Sequence, residues 1–384
     1  MASNKSNKKS KGGIILGIIL IIIGSVFLVS NEKNNVKNIK TVDELRKKVV
    51  DVSDAKVLTK NNGKLVAVSG SIDYDEQNIS DPVFNVTAKT PKLVRTVESY
   101  QWVEDTENNG DTVNYSYKKE WSSKIIDSDV FNNTEYSNPK TREYDTETYL
   151  ASNIKLGEYY LSENQKVSLN AGKELSIKNM EGIYLKSGFN IVDEYITNSK
   201  DYSKPEIGDI RIKYTYNDST NISVLALQDG NGFTDFISKA GKKINKVYAG
   251  KLNSTQMIDK IAKTNNMKKW IFRGIGALII IIGYISLFNL VTFLLEYIPA
   301  LGKVASSLIK LIAGLIGFIH SLLIIVIAWF RYRPILSLIL GVIITAIVLL
   351  IIFKTKKVSK TENKISQWWF FFYKQNVKKT NNKL

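Results

Sequence analysis

Cysteine is absent from the 384 residues, and histidine occurs once, as His320. Without cysteine there are no disulfides, no thiolate nucleophile and no cysteine metal site, and the redox compartment stays open. The single histidine lies inside a hydrophobic run. The hydrophilic part of the chain therefore has no imidazole for a Ser-His-Asp triad, a Cys-His pair or a histidine zinc site. Walker, Gly-x-Gly-x-x-Gly and Gly-x-Ser-x-Gly motifs are also missing. These absences argue against an enzyme, and no metal or cofactor is expected.

Acid is in short supply relative to base, with a net charge of +17. The excess is unevenly placed. Residues 1–30 carry +4, residues 270–353 carry +4 and residues 354–384 carry +8, which leaves residues 31–269 with +1. A nearly neutral central region excludes a nucleic-acid binder. The basic segments flank apolar runs, where lysine meets anionic head groups and sets topology.

Four apolar runs stand out, at residues 12–29, 274–295, 304–330 and 335–353. A helix rises ~1.5 Å per residue, so roughly 20 residues cross a ~30 Å hydrocarbon core. The first run exceeds the apolar core of a secretory signal and ends in Ser30-Asn31-Glu32 rather than a small-residue cleavage site, which predicts an uncleaved helix. The expected architecture is an α+β membrane protein. Its β-rich extramembrane domain, residues 30–269, is inserted between transmembrane helix 1 and a bundle of helices 2–4. The basic N-terminus (1–11) and tail (354–384) are expected in the cytosol, with the domain outside it. Arg331 and Arg333 then face outward, against the positive-inside rule, so charge supports this orientation only in part.

Thr41-Val42-Asp43-Glu44 reads as a capping box opening a short helix through about Val52. Residues 64–72, 92–103, 113–121 and 222–227 are rich in Val, Ile, Tyr and Trp and predict strands. Val113, Tyr115, Tyr117 and Trp121 share one strand face. Ile210, Ile212, Tyr214 and Tyr216 alternate with Arg211, Lys213 and Thr215, a half-buried strand. Asn62-Gly63, Asp81-Pro82, Asn109-Gly110, Asn138-Pro139 and Asn231-Gly232 mark turns. Residues 253–268 return to helical spacing, with Met257, Ile258, Ile261 and Ala262 as the apolar stripe. The pattern runs through Trp270 into the second membrane helix, and no Gly/Ser-rich or Pro-rich tether intervenes.

Polar and small residues in the spans have two readings. Lys310, Gly317, His320 and Ser321 in the third span, and Ser337, Gly341 and Thr345 in the fourth, recur at three- and four-residue steps. Gly13, Gly17 and Gly24 in the first span and Gly276 and Gly283 in the second add small faces. Such seams pack helices closely in lipid. Alternatively Lys310 and His320 belong to a conduction or proton path, since ionisable groups are costly there. In the tail, Trp368, Trp369, Phe370, Phe371, Phe372 and Tyr373 lie between lysines and read as an interfacial anchor, the alternative being packing on the chain's own helices. Carboxylates such as Asp73, Asp75, Glu76, Asp81, Glu104, Asp105 and Glu107 could do glycosidase-type work, but no spacing singles out a pair, and acidic turns on a neutral domain are expected at the surface.

Several stretches, in order, resemble the LUMA family, also called transmembrane protein 43. They are Ser80-Asp81-Pro82, the block ending Tyr100-Gln101-Trp102-Val103-Glu104, Glu120-Trp121-Ser122-Ser123, Asn138-Pro139, Pro205-Glu206-Ile207-Gly208-Asp209 and Trp329-Phe330-Arg331-Tyr332-Arg333-Pro334. The likeness spans residues 12–353. It implies a multi-pass membrane protein with both termini cytosolic that self-associates and organises other proteins, at the endoplasmic reticulum and inner nuclear membrane in animals. The family offers no established catalytic residue to carry over. The Lys, Asn and Ile bias fits a bacterium, hence a cell membrane. From the residues alone, Tyr100 and Trp102 share a strand face and read as core aromatics.

The expected function is a membrane scaffold that self-associates as a homo-oligomer. Its partners would be membrane lipids and other membrane or extracytoplasmic proteins bound through the large domain. A channel or transporter through the helices and a membrane-surface enzyme on sugar or lipid head groups are the alternatives.

Overall fold

The computed structural model describes the backbone of residues 2–74, 78–108, 113–295, 302–330, 338–339 and 341–350, and side chains within these at 13–74, 78–107, 113–289, 307–330, 338–339 and 341–350. The chain opens with α1 (Ala2–Lys48), β1 (Val50–Val52), β2 (Leu65–Tyr74), β3 (Ile79–Asp81), β4 (Val86–Ala88), β5 (Lys92–Asn108) and β6 (Val113–Ser122). Next come β7 (Glu147–Leu150), β8 (Ile154–Leu156), β9 (Tyr159–Tyr160), α2 (Glu163–Ser168), β10 (Lys173–Glu174), β11 (Asn190–Val192), β12 (Tyr195–Thr197), β13 (Ile210–Tyr216) and β14 (Asn221–Asp229). It ends with β15 (Gly232–Thr234), β16 (Phe236–Ile237), β17 (Lys243–Ile244), β18 (Lys246–Ala249), α3 (Ser254–Leu295) and α4 (Gly302–Phe330), followed by a short apolar helix Gly341–Leu350. Two compact units result, Met1–Lys40 with Ala262–Leu384, and Thr41–Ile261.

In the first unit, α1, α3 and α4 each carry a stretch long and apolar enough to cross a membrane. In lipid every backbone N–H and C=O must be satisfied within the segment, which overrides the weak helix preference of isoleucine. The helices α1 and α3 run antiparallel. Ser286 donates to the Gly13 carbonyl at 3.0 Å, Phe27 meets Phe272 edge-on, and Asn31 donates to the Lys269 carbonyl at 3.3 Å. Their backbones touch through glycine: a Cβ on Gly17 would lie 2.7 Å from the Gly283 oxygen and 2.8 Å from the Leu287 nitrogen. Helix α4 packs antiparallel on α3, with Gly317 against the Ile281 backbone and Leu28, Ile280 and Ile324 as the shared core. The outward faces keep Ile15, Ile22, Ile275, Leu311 and Ile327 exposed, as lipid requires.

The expected break between a first membrane helix and a capped helix at Thr41 does not occur. Helix α1 is continuous through Lys48, and β1 follows in place of a helix to Val52. No glycine or proline interrupts residues 30–40, so the amide of Thr41 stays in the helical ladder. Its hydroxyl is thereby free to pair with the Ser238 hydroxyl at 2.9 Å, while Glu44 accepts the Lys239 N–H at 2.7 Å. At α3 the residue pattern holds, with one helix from Ser254 through Leu295. Its first turn is capped by reciprocal bonds between Asn253 and Gln256 and by Asp51, which takes both the amide and hydroxyl of Ser254.

The second unit holds two seven-stranded sheets. The first runs β15-β14-β2-β8-β9, with β1 parallel to β2 and β18 on β14. It curls into a near-barrel, because the Tyr160 N–H at β9 reaches the Asn231 carbonyl beside β15 at 2.8 Å. Val66, Val68, Leu156, Tyr159, Val224 and Phe233 fill its core. The second sheet runs β11-β12-β13-β5-β6, with β7 on β5 and β10 on β13. The long strand β5 is its spine, pairing β13 over residues 93–99 and β6 over residues 99–108. Strand β13 alternates as its sequence predicts, burying Ile210, Ile212 and Tyr214.

Since backbone cannot yield as a flexible side chain can, Gly17→Ala should separate α1 from α3 and destabilise the purified protein by about 1–3 kcal/mol. Gly274→Ala, which meets open space, should be neutral or slightly stabilising. Thermal unfolding of both variants in one detergent checks the contrast; equal melting temperatures would remove the crossing as the constraint.

Candidate functional site

Within the second unit the densest polar cluster centres on Asp81, at the end of β3, and Arg95, on β5. Asp81 is fully buried and Arg95 nearly so. Residues 93, 95, 97, 99 and 101 point inward from β5, because a strand repeats every two residues and Leu93 and Val97 anchor that face in the core. Arg95 is thus carried inside and must find an anion there. Its Nη1 lies 2.8 Å from both Asp81 oxygens, its Nη2 donates to Glu147 at 2.9 Å, and its Nε donates to the Asp145 carbonyl at 3.0 Å. Asp81 also accepts from the hydroxyls of Tyr214 at 2.6 Å and Tyr149 at 2.9 Å and from the Val83 N–H at 2.9 Å. The Arg95 guanidinium lies over the rings of Phe84 and Tyr149.

The electrostatics follow from these partners. Burial alone would raise the Asp81 pKa, but the Tyr214 hydroxyl, the Val83 amide, Arg95 and Tyr149 outweigh it and hold the carboxyl below its ordinary value. Burial likewise opposes the charge on Arg95, and Asp81 overrides it, so Arg95 is held in its charged form. Tyr149 and Tyr214 are pushed far up, by burial first and then by donating to Asp81. Such groups are locked donors. The cluster spends its hydrogen-bonding capacity on itself.

The motif residues converge at a corner of the same sheet. Asn138 replaces a missing strand, accepting the Trp102 N–H at 2.7 Å and donating to the Trp102 carbonyl at 2.9 Å. Gln101, fully buried, takes the Ile126 N–H and donates to the Lys124 carbonyl. The Gly208 N–H donates to the Tyr100 carbonyl at 3.0 Å, and the Tyr100 N–H to the Asp209 carbonyl at 2.8 Å. Gly208 has φ +96, which favours glycine, and Pro139 sits against it. The Asp209 carboxylate holds the loop from Pro205 by accepting from Ser199 and from the Glu206 N–H. Pro82 lies exposed in the turn after Asp81.

Tyr100 and Trp102 are not core aromatics. The inward face of β5 carries Arg95, Ser99 and Gln101, so these rings stand on the opposite, half-exposed face. There Arg211 lies 4.7 Å from the ring centres of both Trp121 and Tyr195, and bonds Glu98 at 2.7 Å and Tyr202 at 3.1 Å. Tyr202 stacks on Trp121, and Tyr100, the cross-strand partner of Trp121, packs against it at a tilt. Farther along, Glu104 accepts from the Tyr117 hydroxyl and the Asn132 N–H, and Tyr136 stacks on Tyr117.

In the helical unit Glu32 is fully buried and receives Arg273 in a two-pronged pair, Nε at 2.6 Å and Nη2 at 2.8 Å. The Trp329 indole N–H also donates to Glu32. Arg273 lies between the Trp270 and Trp329 rings, at 4.6 and 4.8 Å. The end of the apolar part of α1, the start of the apolar part of α3 and the end of α4 thus meet at one level. Gly317 and Ser321 lie on the packed face of α4, as does Ala313, and the Ser321 hydroxyl returns to the Gly317 carbonyl. His320 is half-buried, with Tyr284 at 3.2 Å from its Nδ1. Lys310 is exposed, about 80° around the helix from His320, so the two are not joined. Gly341 meets open space among the described residues, and Thr345 bonds its carbonyl. Ser337, Arg331, Arg333, Pro334 and the aromatic group Trp368, Trp369, Phe370, Phe371, Phe372 and Tyr373 lie outside the described residues, as do Asp75 and Glu76.

Sequence reasoning missed Arg95 as a buried cation, its partners Tyr149 and Tyr214, and the Glu32–Arg273 pair. One signal was available. Arg95 falls in step with Leu93 and Val97, the inward positions of an alternating strand. No signal tied Glu32 to a residue 241 positions away. Among the described residues no group of three His, Asp or Glu is arranged to hold a metal ion.

An apolar first helix, a β-rich region with a near-barrel sheet and long apolar C-terminal helices define a multi-pass α+β membrane protein. The chain belongs to the transmembrane protein 43 family, whose family model matches residues 99–334. It is similar to transmembrane protein 43 of Rattus norvegicus, 25% identical over 374 residues covering 92% of each chain. The Homo sapiens protein is 24% identical, over 87% of this chain and 88% of its own. The Drosophila melanogaster homolog is 28% identical, over 88% and 93%. No solved structure matches.

Arg95→Met would leave Asp81 buried and unpaired, at a cost of about 3–5 kcal/mol. Tyr214→Phe, which removes one donor, should cost about 1–2 kcal/mol. Because the folded-state pKa of Asp81 is depressed, its contribution is present above the unfolded value of about 3.9 and is lost as pH falls through the folded value. Asp81→Asn should therefore flatten the loss of stability below about pH 4. Denaturation of the full chain across pH checks all three; an unchanged acid slope in Asp81→Asn would sink the electrostatic account.

Proposed function

We propose that the chain is a membrane scaffold, not an enzyme, that self-associates and binds other membrane or extracytoplasmic proteins through its β-rich unit. It does so in a bacterial cell membrane, with that unit outside the cytosol. The observation that carries this reading is the half-exposed face of β5, β6 and β13, where Tyr100, Trp102, Trp121, Tyr195, Tyr202 and Arg211 gather. Trp, Tyr and Arg are the residues that dominate interface energetics, the rings because they bring large area at low entropy cost and Arg because its planar fork both stacks and hydrogen-bonds. The Asp81 cluster supports the same reading, since its donors and acceptors face one another rather than a substrate. One observation favours the channel reading, the polar Tyr284–His320 pair between two membrane helices.

The absence of cysteine makes the test clean. A cysteine at Tyr184, 65% exposed, should react with an impermeant maleimide in intact cells. Photo-crosslinkers at Trp121 should capture a second copy or a defined membrane protein, and Arg211→Ala should weaken that capture by roughly tenfold or more. A monomer without crosslinks from this face, or turnover of a small molecule by the purified chain, would remove the scaffold reading. Ion flux in vesicles that is lost in His320→Ala would install the channel in its place.

A further inference from the structure

Among its described residues the helical unit carries lysines that no carboxylate pairs with. On α1, Lys33, Lys37 and Lys40 are exposed, and on α3 so are Lys263 and Lys268. No Asp or Glu occurs at residues 33–42 or 260–295. Among the described residues none of these five lysines forms an ion pair, whereas the β-rich unit pairs Lys118, Lys140, Lys166, Lys173, Lys186 and Lys243 with carboxylates. Arg273, by contrast, is cancelled by Glu32 and adds nothing to the excess.

Their depth is set by helix geometry. At ~1.5 Å per residue, Lys33 lies about 6 Å and Lys37 about 12 Å beyond Val29, where the first apolar run ends. Lys268 lies about 9 Å before Gly274, where the second begins. A head-group layer is roughly 5–8 Å deep on each side of the hydrocarbon, and flexible lysine stems can bend back into it from farther out. The antiparallel register set by Phe27–Phe272 and Asn31–Lys269 brings Lys37 level with Lys263. In the same register Met267, 56% exposed, is level with Lys33, and Trp270, 59% exposed, lies about 10 Å nearer the hydrocarbon than Lys263, so the two form an apolar edge below the lysines. An indole at that level suits the interface between hydrocarbon and water.

We propose that Lys33, Lys37, Lys40, Lys263 and Lys268 form a collar that selects anionic phospholipids in the leaflet at this end of the bundle. Anionic head groups supply negative charge along a stretch, residues 33–42 and 260–273, where the helices carry no Asp or Glu of their own, Asp43, Glu44 and Asp259 lying beyond it, and Trp270 and Met267 rest on the acyl boundary below. The collar is independent of the scaffold reading; it requires only that these helices span a membrane.

The test uses the full chain in vesicles of phosphatidylcholine containing phosphatidylglycerol. A donor dye on Thr264→Cys, an exposed position within the collar, reports energy transfer to head-group-labelled phosphatidylglycerol or, separately, to labelled phosphatidylcholine. Transfer should favour phosphatidylglycerol by about threefold or more at low salt. The preference should fall to near parity when all five lysines become Gln, and in 1 M salt, where the screening length shrinks to about 3 Å. The same five changes to Arg should retain it, and Lys118→Gln with Lys173→Gln should leave it unchanged. Parity in the unmodified collar overturns the proposal, as does a preference that survives the Gln variant. If the Gln variant does not fold, the salt titration and the Arg variant still decide, since a preference insensitive to salt overturns it equally.

Discussion

The close antiparallel approach of α1 and α3 is the constraint on which the architecture depends. Lipid offers no hydrophobic drive between helices, so association rests on van der Waals contact and on polar groups satisfied at the seam. Gly17 and Gly283 let two backbones touch, and the Glu32–Arg273 pair closes the seam at one end. Glu32 is safe in its buried site because Arg273 and Trp329 come from two other helices. Each helix end thereby depends on the other two. The crossing also fixes the chain's path, since α3 returns to the bundle that α1 opened, with the β-rich unit lying between them in sequence.

The β-rich unit solves a related problem in a different medium. A buried cation and anion do not stabilise a fold merely by being paired, because both lose water. Asp81 and Arg95 meet that penalty with a full set of partners, including two tyrosine hydroxyls, a backbone amide and a second carboxylate. The pair ties the β3–β4 hairpin to the spine strand β5. The corner made by Tyr100, Trp102, Asn138 and Gly208 does the same for a long irregular segment, with one asparagine side chain standing in for a strand. Family motifs at these places describe architecture, and they leave the aromatic face of β5 and β6 half-exposed.

Much of the fold was legible because its signals are local. Strands β2, β5, β6, β13 and β14 were visible as β-branched and aromatic runs, and the continuity of α3 as a stripe that never breaks. The misreadings came from competition between local rules and tertiary demand. Thr41 and Glu44 have capping-box spacing, yet they bond a distant hairpin because nothing before them stops the helix. Tyr100 and Trp102 look like core aromatics, yet the face that Leu93 and Val97 anchor in the core carries Ser99 and Gln101 inward at this end of the strand. Alternation gives two faces; it does not say which one is buried when arginine and glutamine lie opposite tyrosine and tryptophan.

The sequence by itself determined that this chain enters a membrane, that a β-rich region lies between its apolar helices, and that cysteine and histidine chemistry is closed to that region. These follow from composition and period, which need no partner. Only the tertiary structure decided that Arg95 is buried against Asp81, that Glu32 meets Arg273, and that Lys310 stands apart from His320. Those outcomes depend on which distant residues arrive beside each group, and burial and pairing are properties of that arrival.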